Sequence, residues 1–129
     1  MFCKIVTKEI PADIIYEDDR FLVFLDINPV NYGHLLLISK KHYKTMYDVP
    51  DKLLGEIFIK CKELMGTLKE SMNADFVVEV VVGVDVPHFH IHLVPRYFND
   101  GLSNFWPTKK YNSKKEAGEI AERIRKRLG

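Results

Sequence analysis

The sequence predicts an α+β fold: a mainly antiparallel five-stranded sheet carrying a long helix and a shorter C-terminal helix. Three features predict it. Short β-rich runs are punctuated by turn residues through the first forty positions. Residues 51–72 repeat apolar side chains at the helical interval. The run Pro87–Arg96, PHFHIHLVPR, alternates imidazoles with apolar side chains at the two-residue period of a strand.

The elements follow in chain order. Ile14–Glu17 and Phe21–Ile27 read as two strands joined by a tight polar turn at Asp18–Arg20. DINPVNYG, 26–33, is turn-rich: Pro29 biases Asn28 away from helix, and Gly33 can take a positive φ. HLLLISK, 34–40, has a continuous apolar centre, which predicts a strand covered on both faces. In the helix over 51–72, Leu53, Leu54, Ile57, Phe58, Cys61, Leu64, Met65, Leu68 and Met72 form the apolar stripe. Asp48 and Asp51, on either side of Pro50, are start signals, and Asn73–Asp75 ends the helix. Gly55 and Gly66 weaken it locally and suggest close packing there. FVVEVVVGVDV and HFHIHLVPR supply two more strands. Ser113 and Glu116 form a capping box that opens the last helix, whose stripe is Ala117, Ile120, Ala121, Ile124 and Leu128. The helices are expected on one face of the sheet, and residues 1–129 read as one domain.

Composition limits what such a chain does. At 129 residues it is long enough for a real core, and 47% hydrophobic with 29% charged residues is an ordinary globular balance. A formal net charge of +1 gives no whole-chain field directed at nucleic acid or an anionic membrane. No apolar run approaches the roughly 20 residues that cross a bilayer, and MFCKIVTKEIP shows no secretory signal, so no membrane partner and a cytoplasmic location are expected. Cys3 and Cys61 make no disulfide framework, and Cys61 falls in the helical stripe and is expected to be buried. The tail, 109–129, holds eight Lys/Arg against three Glu, a local +5. A capped helix with a solvated charged face accounts for it, and no nucleic-acid partner is expected.

The histidines are the departure from the ordinary. Three of the five fall within five residues, His88, His90 and His92. On a strand they line one face, while Phe89, Ile91 and Leu93 line the other and anchor the segment. One such histidine would be unremarked packing, but burying three imidazoles in register costs desolvation without return. Two chemistries use the pattern. Alternate imidazoles can share a metal, although the CxxC pair of a strong zinc signature is absent. A neutral imidazole nitrogen can also attack phosphorus near neutral pH, provided its other nitrogen is pinned in the correct tautomer.

HFHIHLV resembles the histidine triad of the HIT superfamily, His-φ-His-φ-His-φ-φ with φ apolar. The likeness extends over FCKIVTKEIPADIIYEDDRFLVFLDINPVNYGHLLLISKKHY, the NAD after the long helix, VPHFHIHLVPRY and DGLSNFW, and so covers most of the chain. It implies a HIT-like fold, a homodimer, and attack on the α-phosphate of a purine nucleotide carrying a leaving group: a phosphoramidate, an acyl-nucleotide or a dinucleoside polyphosphate. Carried over residue by residue, His90 is the nucleophile that forms a nucleotidyl-histidine, and His92 holds phosphate oxygens as a donor. His88 supports the network with His34, and Asp26 accepts from the ribose hydroxyls. Ile27, with Leu25 and Phe2, lines the base pocket. For Asp26 the plainer reading is a turn initiator before Asn28–Pro29. The compact chain and FCKI favour the Hint-like branch.

The chain also departs from the family pattern. Val84 stands where many members have Gln, and Asp85 stands at a hydroxyl position, so leaving-group handling differs here. A nucleotide-binding module with little or no turnover is the alternative reading. Some members hold a structural zinc with an N-terminal Cys pair. Here Cys3 has no such partner and, with His42, reads as a remnant, so neither metal nor cofactor is expected. Trp106 is either core filler or a reach toward a partner's pocket.

Overall fold

The computed structural model describes residues 2–83, 86–102 and 108–128. Five strands are built as the sequence predicts: β1 Ile14–Glu17, β2 Phe21–Leu25, β3 Leu35–Ser39, β4 Phe76–Val80 and β5 His90–Arg96. They form one sheet in the order β1-β2-β3-β5-β4, antiparallel at every junction. Helices α1 Phe2–Val6, α2 Asp51–Ser71 and α3 Lys114–Leu128 complete the α+β fold.

The turn between β1 and β2 closes on Asp18, whose Oδ1 accepts from the amides of Arg20 and Phe21 at 2.7 and 3.0 Å. β2 stops at Leu25, two residues earlier than predicted, because the Asp26 carboxylate accepts from the Asn28 amide at 2.9 Å and turns the chain. Gly33 takes φ +93°, and a Cβ there would sit 2.8 Å from Met72 Cγ, so both backbone and packing require glycine. Asp48 does not begin the long helix. It closes a 3₁₀ turn, Met46–Asp48, by accepting from the Thr45 amide and hydroxyl, and α2 starts after Pro50. Asn73, at φ +50°, ends α2.

Side chains opposite one another in a ladder share a face. Phe21, Val23, Leu35, Leu37, Ile91 and Leu93 lie under α2, where Ile57, Cys61, Leu64 and Leu68 complete the main core. Leu22, Phe24, Leu36 and Ile38 face the other way and meet Phe2 and Ile5 of α1. Helices therefore cover both faces, a correction to the one-sided layering expected; FCKIV is too short for helical periodicity to declare itself. β3 is buried at every position, as its continuous apolar run predicts.

Three other expectations change. Gly55 and Gly66 face open space, so close packing does not explain them. β4 ends at Val80 and β5 begins at His90, so 81–83 and 86–89 are not strand. The Ser113 hydroxyl accepts from the Glu116 amide at 3.1 Å, but the Glu116 carboxylate turns to Asn112 and not back to Ser113. α3 buries none of its residues.

Candidate functional site

In the β3–β5 ladder Leu36 opposes His92 and Ile38 opposes His90. Both imidazoles thus share the face of Phe24 and Leu36, and α1 sets Phe2 edge-on to His90 with ring centroids 5.0 Å apart. A cavity of about 300 Å³ opens on this face, bounded by His90, His92 and Asp26 and walled by Phe2, Ile5, Phe24, Leu36 and Val86. That is the size of a small-ligand pocket, mostly apolar with a few convergent polar groups. Leu25 and Ile27 border it, and Ile27 is 84% exposed at its rim. Asp85 and Val84 lie outside the described residues, as does Trp106.

The hydrogen bonds assign the tautomers. His90 Nδ1 lies 2.7 Å from the His88 carbonyl oxygen, so Nδ1 carries the proton and Nε2 keeps its lone pair. The segment leading into β5 supplies that carbonyl. His34 Nδ1 accepts from the Val30 amide at 3.1 Å, so the His34 proton is on Nε2. That nitrogen lies 2.9 Å from His92 Nδ1 and 3.5 Å from Asp26 Oδ2. His92 Nδ1 is therefore the acceptor, and its remaining proton is on Nε2.

Burial is the leading influence on both rings of this pair and pushes their pKa values below the ordinary histidine value, against the pull of Asp26. For His92 the neighbouring His90 and His34 act in the same downward direction. The turn bearing His34 is pinned from the far end of β5. Arg96 Nε donates to Asp100 at 2.7 Å, Asn31 Nδ2 reaches Asp100 at 3.2 Å, and the Asn31 carbonyl accepts from the His34 amide at 3.1 Å.

Two assignments change. His34 partners His92, and no hydrogen bond joins it to His88. His88 precedes β5, is 3% exposed, and donates Nε2–H to the Ser39 carbonyl at 2.7 Å. It acts on the site through its own carbonyl. Asp26 makes the turn through Oδ1, its Oδ2 lies near His34, and the residue lines the cavity.

Sequence reasoning missed the gathering of Cys3, His42 and His88. Cys3 Sγ lies 3.5 Å from His42 Nδ1 and 3.6 Å from His88 Nδ1, and the donor atoms all fall within 4.8 Å of one another. One thiolate and two imidazoles suit zinc, and a tetrahedral ion holds S and N about 3.5 Å apart. The set fits three of four positions, although no metal was expected. Asp26, His34 and His92 are as closely grouped, but their hydrogen bonds account for it.

The HIT domain family matches residues 7–99. An uncharacterized HIT-like protein of Methanocaldococcus jannaschii is 42% identical over 105 residues, 78% of this chain and 81% of its own. The adenylylsulfatase HINT3 of Arabidopsis thaliana is 31% identical, over 99% of this chain and 68% of its own. The adenosine 5′-monophosphoramidase HNT1 of Saccharomyces cerevisiae is 34% identical, over 85% of this chain and 71% of its own. The crystal structure of SMU.412c from Streptococcus mutans superposes with a TM-score of 0.88 at 30% identity, covering 100% of this chain and 85% of that one. With the triad face, the pinned imidazoles and the family match over most of its length, the chain belongs to the HIT domain family.

Proposed function

We propose that the protein is a nucleotidyl hydrolase or transferase that attacks the α-phosphate of a purine nucleotide, with a phosphoramidate, an acyl-nucleotide or a dinucleoside polyphosphate as substrate class. The observation that carries this reading is the His90 ring, its Nδ1 bonded to the His88 carbonyl and its Nε2 without a partner among the described residues, beside the cavity. The names of the relatives HINT3 and HNT1 support it.

The base lies against Phe2, Leu25 and Ile27, and Asp26 accepts from the ribose hydroxyls. His90 Nε2 donates its lone pair to the α-phosphorus. The bond from phosphorus to the leaving group breaks, and its electron pair departs with that group. His92 Nε2–H donates to a non-bridging oxygen as charge builds there. Water then adds to phosphorus, the P–N bond returns its pair to Nε2, and the water's proton goes to solvent. His34 and His88 do not touch the nucleotide; they fix His92 and His90 by the bonds described. Zinc held by Cys3, His42 and His88 would supply a structural tie between α1 and the segment before β5, and no step passes through it. The protein is proposed to act as a homodimer.

The test is to screen adenosine and guanosine phosphoramidates against diadenosine polyphosphates, beside His90→Asn. A nucleotidyl adduct trapped on wild type and absent from the variant is expected by mass spectrometry. If wild type and variant bind AMP alike and neither cleaves any substrate, the protein is a binding module.

A further inference from the structure

His90 borders two cavities. Besides the nucleotide pocket, it lines a second of about 210 Å³, shared with Lys44, Met46, Tyr47, Val82 and Phe89. This space opens where three strands give way to loops: Lys44–Tyr47 after β3, Val81–Gly83 after β4 and Phe89 before β5. The Phe89 amide donates to the Tyr43 carbonyl at 2.6 Å, so the Lys44 segment is tied to the segment that carries His90. Val82 and His90 line both cavities, which makes them the wall between the two.

The two cavities differ in charge. The first is lined by no Lys or Arg, whereas Lys44 lines the second and makes no salt bridge among the described residues. The Thr45 hydroxyl is engaged by Asp48, Tyr47 adds a phenol, and Met46, Val82 and Phe89 are apolar. A water occupies about 30 Å³, so this space is several times what ammonia or water needs.

We propose that this second cavity holds the leaving group and that Lys44 selects one bearing negative charge, either an amine with a carboxylate or an inorganic oxyanion such as sulfate. The inference rests on the reading of His90 as nucleophile. A phosphorus bonded to His90 Nε2 stands at the junction, with the nucleoside in the first cavity and the departing group toward the second. As the N–P bond forms, the bond to the leaving group breaks with its electron pair. An amine then takes its proton from water, while sulfate needs none. The Lys44 ammonium pairs with the charge on the departing group throughout.

The test compares two near-isosteric substrates, the adenosine 5′-phosphoramidates of glycine and of glycinamide, which differ in one charge. The quantity read is the ratio of their kcat/KM values. Wild type is expected to favour the glycine conjugate about 10-fold, by a charge-assisted contact to an exposed lysine. The ratio falls toward one in Lys44→Met and below one in Lys44→Glu, is kept by Lys44→Arg, and shrinks with added salt. Adenylyl sulfate, tested on the same variants, identifies the anion: Lys44 dependence confined to it points to an oxyanion, and confined to the glycine conjugate points to a carboxylate. A wild-type ratio near one, or a ratio unmoved by Lys44→Met, with adenylyl sulfate equally indifferent, overturns the proposal and leaves the hydrolase reading standing. Dissociation constants of the same ligands on His90→Asn separate the opposite case. A Lys44-dependent binding ratio without turnover in wild type sinks the hydrolase and keeps the anion site.

Discussion

His90 and His92 sit two residues apart on one face of one strand, yet the structure gives them opposite tautomers. The Nδ1 of His90 donates to the carbonyl of His88, in the segment that leads into β5, so its free lone pair is on Nε2. The Nδ1 of His92 accepts from His34, 58 residues away in sequence, so its free proton is on Nε2. One ring is left with a lone pair and the other with a proton, the pair that the proposed nucleophile and hydrogen-bond donor need. Identical side chains at equivalent positions of a pleat thus acquire different chemistry from the partner of the nitrogen that faces away from the ligand. The first partner is local and comes with the segment that leads into the strand. The second depends on a turn, Asp26–His34, being held correctly against β5.

The sharpest way to break the comparison is to remove the lone pair. His90→Asn is expected to lower kcat by about 10³-fold or more, as loss of a nucleophile does, and to abolish the covalent adduct while AMP binding persists. A variant that keeps its adduct would place the nucleophile elsewhere. His34→Ala comes next. His34 touches no substrate, so kcat falls by about 10- to 100-fold while KM stays within a few-fold, the size of effect typical of an orienting partner. Nitrogen-15 NMR supplies the reading that a merely structural role would not move. In wild type the His92 proton resides on Nε2 and the His90 proton on Nδ1, and in His34→Ala only the His92 ring loses its preference. If both rings carry the same tautomer in wild type, the assignment of roles fails.

The sequence made one half of this comparison legible and hid the other. Alternation of imidazole with Phe89, Ile91 and Leu93 announces the strand and its two faces, and the chemistry of a nucleophilic imidazole asks for a partner on its other nitrogen. The long helix was equally plain, because nine apolar side chains kept its period. What stayed hidden depends on contacts between distant segments. Periodicity does not say that His34 reaches His92 and not His88, nor that Cys3 and His42 close on His88. α1 was missed because a single turn of helix carries too little pattern, although it supplies Phe2 and Ile5 to the pocket. The alternation of His88 with its neighbours read as strand, but the ladder begins only at His90.

Gly33→Ala probes the turn on which the second half depends. The residue needs φ +93°, and the new methyl meets Met72 Cγ at 2.8 Å. A cost of about 1–3 kcal/mol is expected for a non-glycine residue held there, read as a lower denaturation midpoint. Because Gly33 adjoins His34, the surviving folded fraction should also show reduced kcat. Full activity in a destabilised enzyme would mean that the turn can shift without releasing His92.

The smallest effect is a pH dependence of stability that belongs to the His34–His92 pair. A second proton on either ring opposes a bond already made. On His34 Nδ1 it meets the Val30 amide, and on His92 Nδ1 it meets the His34 proton. Burial is the leading cause, and it sets both folded pKa values below the ordinary histidine value. The unfolded chain therefore binds protons first as pH falls. The pair's contribution is complete above the unfolded value of about 6.5 and is lost as pH drops from there through the folded values. Melting temperatures of wild type should fall across that window, and His34→Gln, which cannot be protonated there, should flatten the fall. Parallel profiles for the two proteins would show that the pair is not held neutral by its bonds, and the case for a fixed donor on His92 would go with it.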